Sequence, residues 1–144
     1  MTCREAAHQY LDQGYSVIPV VSGGKIPLVE WKDFQARRAS HETIDLWYDT
    51  WPGANVGIIT GIFSGITVID IDGEKGQESL RKAKITLPPT RIIKTPKGWH
   101  MYYKYNPSYP QGAGILPGVD IRNDGGFVVA PPSTIKDTEY VVLV

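Results

Sequence analysis

Asp70 and Asp72 close an otherwise apolar run, Ile66-Thr67-Val68-Ile69-Asp70-Ile71-Asp72-Gly73. Its β-branched residues and its breaks at Gly65 and Gly73 predict a short buried strand. Side chains two positions apart in a strand share a face, with Cα atoms about 6–7 Å apart, so the two carboxylates emerge side by side. Unpaired, they repel each other and resist desolvation; a hard divalent cation bridging them relieves both costs. The same residues also read as a strand end entering an Asp-Gly turn, with both acids in water. Two more polar groups sit among apolar neighbours further along: His100, in Trp99-His100-Met101-Tyr102-Tyr103-Lys104-Tyr105, and Asp120, in Val119-Asp120-Ile121-Arg122. Three separate strands thus each present a polar group among apolar neighbours.

The elements that must position these groups follow from periodicity. Ala6, Ala7, Tyr10 and Leu11 predict a helix over residues 4–13, stopped at Gly14. Residues 15–21 read as a strand that Pro19 pushes towards an edge or an end. Ser22-Gly23-Gly24-Lys25-Ile26-Pro27 reads as a turn whose lysine could meet a phosphate, without a Walker-type pattern. Ser40 caps a helix with Ile44, Trp47 and Tyr48 as its apolar stripe, and Pro52-Gly53 ends it. Residues 55–61 form a second strand, and the short connection to the Asp-bearing strand predicts an antiparallel hairpin between the two. From Lys75 to Lys84 a short helix turns Leu80 and Ala83 inward and its basic side chains outward. Residues 91–95 and 99–105 pair across Pro96-Lys97-Gly98, with His100, Tyr102 and Lys104 on one face. Residues 107–118 read as a proline- and glycine-rich loop. Strands at 119–122 and 127–130 flank the turn Asn123-Asp124-Gly125-Gly126, and a last strand begins at Tyr140.

Composition bounds the rest. At 144 residues, the chain is one domain with enough length for a core. Fifteen basic and fifteen acidic residues give no net attraction to nucleic acid or membrane. Their distribution is uneven: residues 75–104 hold 8 basic and 1 acidic side chains, residues 1–74 hold 5 and 10. That basic block could line a phosphate-binding groove or form a solvated face. A single cysteine, Cys3, excludes an internal disulfide, and with three scattered histidines it argues against structural zinc. No apolar run approaches a membrane span and no signal-peptide core is present, so the expected location is the cytoplasm.

The Asp-x-Asp, the Gly98-Trp99-His100 and the Val119-Asp120 come in the order that defines the archaeo-eukaryotic primase superfamily, and the chain resembles the prim-pol domain of bifunctional DNA primase/polymerases. The flanks agree: Gly24-Lys25-Ile26-Pro27, Asn55-Val56-Gly57 with Thr60-Gly61, Thr95-Pro96-Lys97-Gly98, and Gly118-Val119-Asp120-Ile121-Arg122 through Gly125-Gly126 to Ala130-Pro131-Pro132-Ser133. The resemblance spans residues 4–144. It implies an α+β primase-type core of two α/β modules, the second similar to an RNA-recognition motif, with the active site between them. It implies template-directed nucleotidyl transfer in the replication of a plasmid, phage or other mobile element. Asp70, Asp72 and Asp120 then bind two Mg²⁺ or Mn²⁺ ions, and His100 lies near the incoming triphosphate. The partners are nucleoside triphosphates and single-stranded or primed DNA, with a helicase domain or protein as a further associate.

Lys97 and Arg122 flank motif residues and could contact phosphates, though Arg122 shares the face of Asp120 and could equally form an ion pair. Lys25 is carried by the resemblance to the edge of the site. Ser133 could touch sugar or base, or terminate a strand. His8 and His41 have no partner motif and read as surface residues, and the tryptophans at 31, 47, 51 and 99 read as packing. The chain ends inside an apolar run, which suggests the N-terminal part of a longer replication protein. Two other functions use the same residues: a non-catalytic module gripping single-stranded nucleic acid with its basic block, and a metal-dependent nuclease.

Overall fold

A computed structural model describes residues 1–144. In chain order its elements are helix α1 (Cys3–Asp12), strand β1 (Val17–Val20), a 3-10 turn (Trp31–Gln35), α2 (His41–Thr50), β2 (Asn55–Ile59), β3 (Ile66–Asp72), α3 (Gly73–Lys82), β4 (Arg91–Lys94), β5 (Gly98–Lys104), β6 (Gly112–Leu116), β7 (Val119–Arg122) and β8 (Phe127–Ala130), followed by the two-residue strands β9 (Thr134–Ile135), β10 (Thr138–Glu139) and β11 (Val141–Val142). They form a mixed α/β structure with a three-stranded sheet, β1-β2-β8, a six-stranded sheet, β11-β4-β5-β3-β7-β6, and a small β9-β10 hairpin. Every strand pair is antiparallel.

Local sequence explains the helices. Thr2 and Glu5 close a reciprocal capping box at the start of α1, with Glu5 N donating to Thr2 Oγ1 at 3.1 Å and Thr2 N donating to Glu5 Oε1 at 3.0 Å. Ser40 caps α2, and Ile44, Trp47 and Tyr48 bury its apolar stripe. The two helices pack together and are joined at their rims by ion pairs, with Arg4 reaching Asp45 and Asp49. His8 and His41 lie at the surface as expected of them singly, but not alone. Their rings stack with Nδ1 atoms 2.6 Å apart, and their Nε2 atoms lie 2.8 Å from Asp45 and Asp12 respectively.

One apolar core takes residues from both sheets and both of these helices: Ile44 of α2, Val56 and Ile58 of β2, Val68 of β3, Ile93 of β4 and Val129 of β8 all belong to it. Pro19 does put β1 at a sheet edge.

Three expectations are corrected. β2 and β3 are not a hairpin: all five residues of β2 are buried, and β1 and β8 already satisfy both of its edges. The chain therefore leaves the small sheet through Gly61–Gly65, with only a Gly61–Ile66 bridge, and β3 enters the large sheet between β5 and β7. The loop at 107–118 contains a strand, β6, which pairs with β7 through an irregular register. In α3 the buried residue is Gly76, not Ala83, which is exposed, while Leu80 is half-buried. A Cβ at Gly76 would press on the Gly118 carbonyl and on Ile71, so the absence of a side chain is what lets α3 sit against the β6–β7 turn.

Within the large sheet, β3–α3–β4 with β5 inserted between the two strands is a split β-α-β unit, and β7 adds on the other side of β3. Ile44, at 0% exposure, measures how far the fold depends on its core. Ile44→Ala should cost about 2–5 kcal/mol through a cavity between α2 and the sheet, read as a lowered denaturant midpoint with an unchanged slope.

Candidate active site

The pleat of β3 carries its even-numbered residues along one face, from core to surface. Ile66 and Val68 lie in the core, Asp70 is half-buried, and Asp72 is exposed at the strand end. The neighbouring strands bring their own polar groups to that point: Asp70 stands directly opposite His100 of β5 on one side and Asp120 of β7 on the other. Directly opposed residues in antiparallel strands have Cα atoms about 4.5–5.5 Å apart. Three residues far apart in sequence thus meet at one level of one sheet face. Asp72 is opposite Gly98, where any Cβ would collide with the Ile71 carbonyl oxygen. The glycine two positions before His100 is therefore required for β5 to lie close against the end of β3.

This face floors a cavity of about 330 Å³ lined almost wholly by polar groups. Asp70, Asp72, His100 and Asp120 are met there by Lys25, Lys97 and Arg122. Lys25 comes from the β1-side loop, whose Gly24 carbonyl accepts from Asn55 Nδ2 at 3.1 Å. Lys97 is presented by a tight turn in which Thr95 and Gly98 bond to each other. The structure also supplies residues that the sequence did not single out for the site. Lys75 lies in the first turn of α3, three positions after Asp72. Tyr140 lies 6.0 Å from His100, ring centre to ring centre. Lys75 had a readable signal, its closeness to the Asp pair; Tyr140 had none.

Ser133 lies elsewhere. It is fully buried, and its hydroxyl accepts from Val56 N at 2.9 Å and donates to Val56 O at 3.2 Å, so it ties β8's continuation to β2. Asn55 acts in the same clamp, bonding both backbone groups of Thr134. Of the tryptophans, Trp47 is buried against Phe34, and Trp99 is half-buried beneath Lys94.

Two of the three carboxylates already have partners. Arg122 lies 3.3 Å from Asp120 Oδ2, and the Gly114 backbone N–H donates to Asp120 Oδ1 at 2.7 Å. His100 is buried; its Nε2 lies 3.5 Å from Asp70 Oδ2, a charge contact longer than a well-formed hydrogen bond, and its Nδ1 is enclosed without a partner. Burial alone would push the Asp70 carboxyl up. The His100 imidazole, Arg122 and Lys25 outweigh that and hold it below the usual carboxylate range. Burial first, and the Asp70 charge second, push the Tyr140 phenol up to about 12.

As the side chains stand, no three His, Cys, Asp or Glu groups converge on one point as a metal would require. The donor chemistry nonetheless fits a hard cation. Asp70, Asp72 and Asp120 offer only carboxylate oxygens from one sheet face, the ligand type that Mg²⁺ and Mn²⁺ take.

Residues 7–144 match the model of the N-terminal domain of bifunctional DNA primase/polymerases. The chain belongs to this Prim-Pol family, whose members are nucleotidyltransferases acting with nucleotide and DNA substrates and generally with divalent metals. No curated protein matches it. No helix is long and apolar enough to cross a membrane.

Because Asp70's folded value lies below its unfolded one, its contribution to stability is present above the ordinary carboxylate value and is lost as pH falls through the folded value. In the metal-free protein, His100→Ala removes the group that most offsets burial. The Asp70 carboxyl carbon, followed by NMR, should then titrate at a higher pH than in the parent. An unmoved or lower midpoint would mean that His100 does not hold this carboxylate.

Proposed function

We propose that this chain catalyses template-directed nucleotidyl transfer, as a DNA primase/polymerase in the replication of a plasmid, phage or other mobile element. The observation that carries the reading is the alignment of His100, Asp70 and Asp120 across three adjacent strands, facing a cavity rimmed by lysines and an arginine. In this reaction a 3′-hydroxyl attacks the α-phosphorus of a nucleoside triphosphate, a new P–O bond forms, and the bond to pyrophosphate breaks in line. Asp70, Asp72 and Asp120 would hold divalent cations, Mg²⁺ or Mn²⁺, which stabilise the attacking and leaving oxygens when bound. Lys25, Lys97 and Arg122 neutralise the phosphates electrostatically, and His100 donates to a phosphate oxygen.

Arg122 has a double role in this scheme. In the free protein it offsets the Asp120 charge at 3.3 Å, and in the complex it turns its guanidinium to phosphate. The finer architecture is that of two α/β modules with the site between them, the second like an RNA-recognition motif. Supporting it, the order β4-β5-β3-β7 and the split β-α-β unit are those of that motif, although β6 occupies the stretch between β5 and β7 where a second helix would run. The chain is one catalytic domain, and the family's N-terminal position supports a place at the front of a longer replication protein.

Incorporation of labelled nucleotide on primed and unprimed single-stranded templates tests this. Asp70→Ala and Asp120→Ala should each lower incorporation by at least about a hundredfold while far-UV circular dichroism stays that of the parent. Parent-like incorporation by either variant removes the metal-binding role of that carboxylate. Degradation of DNA without added triphosphates would turn the reading towards a nuclease.

A further inference from the structure

The cavity at the acidic face continues into a second compartment of about 270 Å³ with different chemistry. Its wall is Trp31, from the 3-10 turn after β1, together with Phe127, Val128 and Val129 of β8, and its floor includes Gly125 and Gly126. Lys25, Asp70, His100, Arg122 and Tyr140 line both compartments and so mark the seam between them. A compartment with one aromatic and aliphatic wall, joined through a charged seam that includes Lys25 and Arg122 to a polar, carboxylate-floored one, has the same division as a nucleoside triphosphate, with an aromatic base at one end and phosphates at the other. We propose that Trp31, backed by Phe127, is the surface on which the incoming nucleotide's base rests, making it a positioning residue for substrate rather than only part of the core. The proposal rests on the nucleotidyl-transfer reading of the neighbouring compartment.

Three observations carry it. First, the 3-10 turn already has a core anchor in Phe34, which is 6% exposed and packs edge-on against Trp47 at 5.4 Å. Trp31 is only half-buried and packs on Phe127 at the cavity wall, with ring centroids 5.1 Å apart and planes tilted by 57°. That tilted contact leaves no slot between the two rings, so a base stacks on their cavity side. Second, the wall offers little that could read a base edge. The one amide side chain there, Gln111, already accepts from Asn123 N at 2.7 Å through its Oε1, which leaves only its Nε2 to meet a base edge. Aromatic stacking without edge readout tolerates every base, which a templated enzyme needs, because the template strand does the reading. Third, Gly125 has open space where a side chain would stand and φ +83°, a conformation that disfavours one, so a substrate can approach the backbone there; the missing side chain of Gly126 makes room for Gln111 and Thr60 instead.

The test separates the two ends of the substrate. Binding of dATP, dTTP and inorganic tripolyphosphate, each with Mn²⁺, is measured by calorimetry for the parent, Trp31→Leu and Trp31→Phe. Leucine keeps apolar bulk against Phe127 but removes the aromatic face; phenylalanine restores one. Trp31→Leu should weaken both deoxynucleotides about tenfold and leave tripolyphosphate unchanged, with Trp31→Phe close to the parent. Deoxynucleotide binding by Trp31→Leu equal to the parent's overturns the inference. So does an equal loss of tripolyphosphate, which would make Trp31 a structural support of the whole site. If the parent binds neither nucleotide nor tripolyphosphate, the nucleotidyl-transfer reading fails and this one with it.

Discussion

The register of β3 between β5 and β7 is the constraint on which the rest of the molecule depends. Pairing fixed at Asp70↔His100 and Asp70↔Asp120 sets three reactive side chains on one face, and a slip of one residue would turn that whole face over. The register is held from below by the core. Ile66 and Val68 share the face of Asp70 and are buried, so the apolar half of the strand cannot shift without leaving the interior. The pleat that sets Ile66 and Val68 in the core is thus also what delivers two carboxylates to the cavity. No separate scaffold is needed for them.

Carboxylates at the end of a buried face carry a cost in desolvation and repulsion, and the structure offsets it locally. Asp70 has His100 beside it and the charges of Arg122 and Lys25 in reach; Asp120 has Arg122 and the Gly114 N–H. These partners are basic side chains or a backbone donor from four different segments, so the free site offsets its carboxylates with the same groups that would meet phosphate. A polar cluster so built is stable without substrate and still has cations to offer when substrate arrives. The Asn55–Gly24 bond holds the Lys25 loop to β2, and the Asn55–Thr134 and Ser133–Val56 bonds hold the start of the chain's last stretch there, fixing the rim as the register fixes the floor.

Much of this was legible in the sequence because it is local. The capped helices, the β4–β5 hairpin across Pro96-Lys97-Gly98 and the Asp-bearing strand follow from period and turn chemistry, and the ordered Asp, His and Asp motifs named the family that the comparison shows. What was missed is long-range. Whether β2 pairs with β3 or with β8 depends on which edge is free after folding, and no local pattern records that. The strand β6 was hidden by its glycines, which lower strand propensity while β7 supplies the hydrogen bonds. Ser133 looked available because it follows two prolines, yet it is enclosed by a strand 77 positions earlier in the chain. Trp31 packs on the core as it read, and what the sequence did not record is that Phe127, on the distant β8, packs beside it at a cavity wall.

Asp70, Asp72 and Asp120, brought to one face by strand register, are the proposed site for a divalent cation. Paramagnetic broadening of backbone amide signals by substoichiometric Mn²⁺, in the presence of a deoxynucleoside triphosphate, tests that claim most directly in a 16.0 kDa protein. The account predicts broadening centred on the ends of β3 and β7 and on the turn before β5. Broadening centred instead on the acidic rim of α1 and α2 at Asp12, Asp45 and Asp49, or spread evenly over the surface, would contradict it.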